Sequence, residues 1–120
     1  MRDFRKLQVW ERAHQLTLAI YKATSTFPKE ELYGLTSQIR RAAASVPANI
    51  AEGYSRGGDG ELGRFLRIAV GSAGEVEYHL LLAHDLGFMD DPTHQRLERE
   101  ALEVKRMLIA FVQKVAPKND

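Results

Sequence analysis

Apolar side chains recur along this chain at alternating spacings of three and four residues, the period of one face of an α-helix. Four such segments follow one another, at about residues 7–27, 36–54, 60–86 and 92–115. No stretch of useful length alternates apolar and polar residues with a period of two, so no strand is predicted. The seam positions are Val9, Ala13, Leu16, Ile20, Ala23 and Phe27, then Leu35, Ile39, Ala42, Val46 and Ile50, then Leu62, Leu66, Ala69, Ala73, Val76, Leu80 and Ala83, and finally Leu97, Ala101, Val104, Leu108, Phe111 and Val115.

Proline and glycine separate the four segments. Pro28 and Gly34 follow the first, the glycine-rich stretch GYSRGGDG follows the second, Gly87 is placed to end the third, and Pro117 follows the fourth. Short connections between four amphipathic helices predict an all-α, up-down-up-down antiparallel four-helix bundle, one domain over residues 1–120. The expected N-caps are Asp3, Thr36 or Ser37, Asp59 and Asp91, the last followed by Pro92 at the first helical position.

The second segment carries a proline in its interior, within the stretch RRAAASVPANIAEG. Pro47 has no amide hydrogen and its ring clashes with a carbonyl one turn back, which destabilises a helix interior by about 3 kcal/mol. The apolar seam keeps its phase across Pro47, and this predicts one helix with a kink rather than two helices. The carbonyl of Ala43 loses its usual donor, and the Ser45 side chain, the Asn49 side chain or a water are the candidates to replace it.

A second face of the same helix carries small and amide side chains, where a solvated helix would normally carry Lys and Glu. Such a face lets another helix approach closely while hydrogen bonds fix its register, so it predicts a subunit interface. Gly71 and Gly74 in the third segment lower helix propensity by roughly 1 kcal/mol each, which close approach of another backbone would offset. The predicted interface residues are Gln38, Arg41, Ser45, Pro47, Asn49 and Glu52.

The charge balance does not predict a strongly basic nucleic-acid-binding domain, because 17 Lys and Arg stand against 16 Asp and Glu. A local basic patch remains open, and its candidates could bind phosphates if they cluster around one end of the bundle. The alternative for the same side chains is salt bridges, within or between subunits, to Glu52, Asp59 or Glu61. The candidate phosphate-binding residues are Arg40, Arg41, Arg56, Arg64 and Arg67.

Catalytic and metal chemistry find little support in the sequence. A di-metal carboxylate bundle needs two Glu-x-x-His motifs and two further Glu, and the chain has one motif, Glu11 to His14. Glu75 and His79, one turn apart, offer too few ligands for more than a weak site. No nucleophile-elbow or phosphate-loop pattern occurs. We therefore predict no catalytic residues, metal, cofactor or small-molecule substrate; a metal-dependent enzyme is the least favoured alternative.

Cysteine usage and hydropathy limit the cellular compartments that the sequence predicts. The chain has no cysteine, which excludes disulfides and thiolate metal sites. No apolar run approaches the ~20 residues that span a bilayer, and the N-terminus lacks a signal-peptide core. The expectation is a cytoplasmic protein without membrane contact.

The stretch ELYGLTSQIRRAAASVPANIAEGYSR closely resembles the signature of the 23S ribosomal RNA intervening-sequence protein family. The stretches FRKLQVWERAHQLTLAIYKATSTFP and RFLRIAVGSAGEVEYHLLLAHDLGFM resemble the first and third helices of that family, so the resemblance covers roughly residues 4–115. The positions that match the family pattern are Arg40, Arg41, Pro47, Asn49, Glu52 and Gly53.

The resemblance implies a bacterial up-down bundle that assembles as a homopentamer and has no established catalytic residues. It also implies a structural role for the matched positions. A related branch, the accessory proteins of diversity-generating retroelements, is strongly basic and binds nucleic acid; the near-neutral charge of this chain departs from that branch. The expected function is a non-enzymatic oligomeric module whose partner is a protein or RNA, and the alternative is a nucleic-acid-binding accessory protein that uses a basic rim.

Overall fold

The computed structural model describes residues 2–116, and within them four α-helices pack in a ring. The helices are α1 (Gln8–Thr24), α2 (Leu35–Arg56), α3 (Asp59–Asp85) and α4 (Asp91–Val115). Short 3₁₀ turns at Phe4–Lys6 and Lys29–Glu31 precede α1 and α2. Each helix contacts its neighbours in the chain, and α4 closes the ring against α1. The predicted all-α four-helix bundle is confirmed; Pro117, predicted to end the domain, lies outside the described residues.

The predicted apolar seams form the core of the bundle. Every seam position of α2 and α3 is buried, and so are the first four of the six in α4. The exceptions lie near helix ends, where Ala23, Phe111 and Val115 are only partly buried against the core. No helix between residues 2 and 116 is both long and apolar enough to cross a bilayer.

The connection between α1 and α2 begins earlier than predicted. α1 ends at Thr24 rather than near residue 27. The Ser25 hydroxyl donates to the carbonyl of Lys22 at 2.7 Å, and the Thr24 hydroxyl donates to that of Ile20 at 2.8 Å. These hydroxyls compete with the helical amides for the last carbonyls, and Pro28 disfavours a helical conformation in the residue before it. The chain therefore leaves the helix one turn early.

The start of α2 is capped from outside the helix. The Glu31 carboxylate accepts a hydrogen bond from the amide of Leu35 at 3.0 Å, and the N-cap residue is Gly34. The predicted caps Thr36 and Ser37 are wrong, because both lie inside the first helical turn.

The N-caps of α3 and α4 each lie one residue before the predicted position. Asp59 is the first helical residue of α3, and its N-cap is Gly58. At α4 the Asp90 carboxylate, not that of Asp91, accepts from the amide of Thr93 at 2.9 Å. Asp59 and Asp91 nevertheless lie in the first turns of α3 and α4, where the helix dipole favours a negative charge.

Glycines make the tight connections on either side of α3. Gly57 and Gly58 have φ of 76° and 80°, and these two residues alone join α2 to α3, which makes the two helices antiparallel. Gly87 has φ of 79° and ends α3 as predicted: its amide donates to the carbonyl of His84, and the next amide donates to that of Ala83. This pair of bonds is the Schellman arrangement.

α2 continues as one helix through Pro47, as predicted, whereas the kink stays a prediction. The side chain that bonds the freed Ala43 carbonyl is neither of the two predicted ones, those of Ser45 and Asn49. It is the Thr17 hydroxyl of α1, 3.0 Å from the Ala43 oxygen and 2.9 Å from that of Ala13. Because Ala13 already receives the helical amide of Thr17, the carbonyl that depends on the hydroxyl is that of Ala43.

Gly53 lets α2 and α3 approach closely beyond the proline. A Cβ atom at Gly53 would lie 2.7 Å from the Cβ of Phe65 and 3.4 Å from the Cα of Leu62. Neither atom is the end of a flexible side chain, so only movement of the helices could make room for it.

Replacing Thr17 with Val should reduce the free energy of unfolding by about 1–3 kcal/mol, because a buried carbonyl loses its donor. The loss should be smaller in a Pro47→Ala background, where the amide of residue 47 can donate to Ala43. Urea unfolding at one fixed protein concentration measures the double-mutant cycle. Thr17→Ser, which keeps the hydroxyl, is the control. Equal losses in both backgrounds would contradict this role.

Gly53→Ala should destabilise the protein by about 1–3 kcal/mol through overpacking. Gly60→Ala is the matched control, since a Cβ there meets nothing within 4 Å and alanine favours a helix. Thermal unfolding followed by circular dichroism compares the two. An unchanged melting temperature for Gly53→Ala would show that the α2–α3 contact is loose.

Candidate functional site

The five candidate arginines form two groups rather than one cluster. Arg40 and Arg41 lie in the first half of α2, whereas Arg56, Arg64 and Arg67 surround the α2–α3 connection. Arg41 and Arg56 are 15 residues apart on one helix, which separates them by about 22 Å. The structure therefore does not gather all five at one end of the bundle.

The arginines nearest the α2–α3 connection are paired with carboxylates. Arg56 Nε lies 2.8 Å from Glu52 Oε2, and Arg56 Nη1 lies 3.8 Å from Glu61 Oε2. Arg64 donates two hydrogen bonds of 3.2 Å to Glu61. These bonds hold the pKa of Glu61 below, and that of Arg64 above, its usual value. Both guanidinium groups also lie over the Phe65 ring, at 5.1 and 4.4 Å. The salt-bridge alternative thus describes Arg56 and Arg64.

Arg67 is exposed and has no carboxylate within 4 Å between residues 2 and 116. It borders a recess of about 310 Å³ between α3 and α4, together with the apolar side chains of Val70, Ile109 and Val112. This single cation beside apolar side chains does not form a basic patch.

Arg40 joins α2 to the end of α1. Its Nε donates to the Thr24 hydroxyl at 2.8 Å and its Nη2 donates to the Tyr21 carbonyl at 3.3 Å. The guanidinium group also lies 4.7 Å from the centroid of the Tyr21 ring. A cation at the C-terminal end of α1 is stabilised by the helix dipole, so Arg40 has a structural role and needs no carboxylate.

Arg40 and Arg41 border an open recess of about 390 Å³ that contains no acidic side chain. We call this surface the Tyr–Arg recess; its lining residues are Tyr21, Leu32, Tyr33, Thr36, Ser37, Arg40 and Arg41. Tyr33 is 93% exposed and Tyr21 is 44% exposed. Neither tyrosine is among the functional residues predicted from the sequence; the available signal was the position of Tyr33 beside Gly34 in a turn, outside every apolar seam.

The predicted interface residues of α2 divide between the chain's own packing and its surface. Ser45 Oγ lies 2.8 Å from Ser72 Oγ of α3, and the Asn49 amide donates to Ser45 at both its hydroxyl and its carbonyl. Pro47 is buried in the bundle and does not lie on the exposed part of this face. The remaining predicted residues, Gln38, Arg41 and Glu52, are exposed.

The outer surface of α3 carries apolar and glycine residues that nothing between residues 2 and 116 covers. A Cβ atom at Gly71 or Gly74 would meet no atom within 4 Å, so the expected close approach of another backbone does not occur within the described chain. Ile68, Tyr78 and Leu81 are 43%, 58% and 46% exposed. We call these five residues the α3 outer face.

The candidate metal ligands are dispersed. His14 stacks on Trp10 with ring centroids 4.9 Å apart, and His79 is buried whereas Glu75 is exposed. In the described part of the chain, no three His, Asp or Glu side chains are arranged to hold a metal ion.

The α3–α4 turn holds a polar cluster around His84. Its ring stacks on His94 at 4.4 Å, and its Nε2 is hydrogen-bonded to Asp91. The Asp91 carboxylate, followed by charge from Asp85, raises the pKa of His84 above its ordinary value of 6.5. A raised pKa means that the bond adds stability below about pH 6.5 and that this contribution is lost as the pH rises through the folded-state pKa.

Nuclear magnetic resonance titration of the His84 ring should show a midpoint above 6.5 in the wild-type protein. Asp91→Asn should lower that midpoint towards the ordinary value, because the amide cannot stabilise an imidazolium ion. Asp90→Asn is the control, since Asp90 caps α4 through Thr93. The same His84 midpoint in wild type and Asp91→Asn would contradict the assignment.

Comparison with known proteins identifies one family. The family model described as 23S rRNA-intervening sequence protein matches residues 5–110. Among solved structures, the chain is similar to a protein of unknown function from the S23 ribosomal protein family of Bacteroides thetaiotaomicron, with a TM-score of 0.79 and 22% identity over 88% of this chain and 98% of that one. This likeness shows the fold. None of the curated proteins matches the sequence significantly.

Proposed function

The chain belongs to the 23S rRNA-intervening sequence protein family, and from this premise we propose that it acts as a non-enzymatic, self-associating helical-bundle module. The observation that carries the proposal is the α3 outer face, where three large apolar side chains and two glycines share an uncovered helix surface.

Self-association accounts for features of this face that a solvated surface leaves unexplained. Glycine inside a helix destabilises it by about 1 kcal/mol relative to alanine, and neither Gly71 nor Gly74 is required by packing in the described chain. A second copy seated on α3 would bury Ile68, Tyr78 and Leu81, and the missing Cβ atoms would allow its backbone to come close. The exposed α2 residues Gln38 and Glu52 would add polar groups to such a contact, whereas Arg41 borders the Tyr–Arg recess.

The family resemblance implies five subunits. Light scattering coupled to gel filtration should then give a mass five times the chain mass of 13.6 kDa at micromolar concentration. The double variant Gly71→Ala/Gly74→Ala should lower this mass, because the methyl groups would obstruct the subunit contact.

Within a single subunit the double variant should be at least as stable as the wild type, because alanine favours a helix and the added methyl groups meet nothing within 4 Å. A lower mass would therefore report a lost subunit contact rather than unfolding. Gly60→Ala, also in α3 and also unobstructed, is the matched control and should leave the mass unchanged. A wild-type protein that runs as a monomer would contradict the proposal. So would a double variant that assembles like the wild type.

A second candidate function is binding of nucleic acid. The observation that favours it is the contrast between the two arginine groups: Arg56 and Arg64 are ion-paired, whereas Arg40 and Arg41 have no carboxylate within 4 Å between residues 2 and 116. The basic surface in this case is the first half of α2 rather than a complete rim.

A further inference from the structure

The Tyr–Arg recess combines exposed tyrosine rings with arginines that make no ion pair between residues 2 and 116. Tyr33 is 93% exposed, so its ring adds little to packing within the chain, and Tyr21 lines the same recess. Arg40 and Arg41 line it as well, and the Arg40 guanidinium lies over the Tyr21 ring. An aromatic ring held this far out of the core is suited to contact with another molecule.

The positive charge of the recess is not neutralised locally. Arg40 donates from its Nε to Thr24 and from Nη2 to Tyr21, and its other N–H groups are left to bind a ligand. Arg41 makes no ion pair between residues 2 and 116. Glu75 borders the neighbouring α2–α3 groove together with Arg41 but lies beyond ion-pair distance. The recess therefore attracts anions, and the exposed Tyr33 ring offers a flat face beside them, whereas the Tyr21 ring is already in contact with the Arg40 guanidinium.

We propose that the Tyr–Arg recess binds unpaired nucleotides of single-stranded nucleic acid, with a base stacked on Tyr33 and phosphate held by Arg41 and the free donors of Arg40. Exposed aromatic rings beside cations are the elements by which proteins bind single strands, because every base has a face to stack. The volume of about 390 Å³ lies in the range of ~300–1,000 Å³ found for small-ligand sites. A duplex, whose bases are already stacked, fits this surface poorly.

This inference deepens the second candidate function and rests on it. Self-association would strengthen such binding, because each subunit adds one copy of the recess and a long strand could contact several copies at once. The two proposals remain separable, since the mass of the protein and its binding of a strand are measured independently.

The test measures fluorescence anisotropy of labelled 12-nucleotide single strands, one of uridines and one of thymidines, between 50 and 200 mM salt. The wild-type protein should bind both, more weakly as salt rises. Tyr33→Ala should weaken binding about tenfold, and Tyr33→Phe, which keeps the ring, should bind like the wild type. Arg41→Gln should weaken binding and reduce the slope of log affinity against log salt by about 0.7.

Arg106→Gln is the matched control for charge, because Arg106 is paired with Glu103 on α4. It should bind like the wild type. Light scattering on every variant separates a lost recess from a lost assembly: Tyr33→Ala should keep the wild-type mass. The inference is overturned if the wild type binds neither strand, if Tyr33→Ala binds as tightly as the wild type, or if a duplex of the same length binds as well as the single strands.

Discussion

The hydrogen bond from the Thr17 hydroxyl to the Ala43 carbonyl is the contact on which the arrangement of the helices depends. Pro47 removes a main-chain donor in the middle of α2, and the Thr17 hydroxyl of α1 supplies a replacement donor 3.0 Å from the Ala43 oxygen. The bond fixes the axial position of α2 against α1. Arg40, one turn before Ala43, holds the same pair of helices through Thr24 and Tyr21 at the end of α1.

α2 is held as firmly on its other side. Gly53 allows α2 to pack closely against Phe65 of α3, and the Ser45–Ser72 contact joins the same two helices midway. The connection between them consists of only Gly57 and Gly58. The stretch RRAAASVPANIAEG is therefore constrained by contacts with both α1 and α3. Ala42 and Ala43 are buried in the core, and Asn49 donates a hydrogen bond to Ser45, which contacts Ser72 of α3.

Two exposed surfaces of the described bundle differ in their chemistry. The α3 outer face is apolar and rich in glycine, which suits another copy of the chain. The Tyr–Arg recess is cationic and aromatic, which suits a charged, flat ligand. Arg56 and Arg64 are paired with Glu52 and Glu61, whereas Arg40 and Arg41 have no carboxylate within 4 Å between residues 2 and 116, so a near-zero net charge does not exclude a local cationic surface. Net charge is a poor guide to binding when ion pairs are distributed unevenly.

The sequence alone determined the number of helices, their apolar seams and the Gly87 helix end, because these follow from local periodicity and from backbone conformations that only glycine adopts readily. It also predicted that the helix runs through Pro47. Only the tertiary structure decided that Thr17 satisfies Ala43 and that Glu31 caps α2. It likewise decided which arginines are paired and that Tyr33 stands beside Arg41. Each of these contacts joins residues from different elements or turns, and their distances depend on how the helices pack rather than on spacing along the chain.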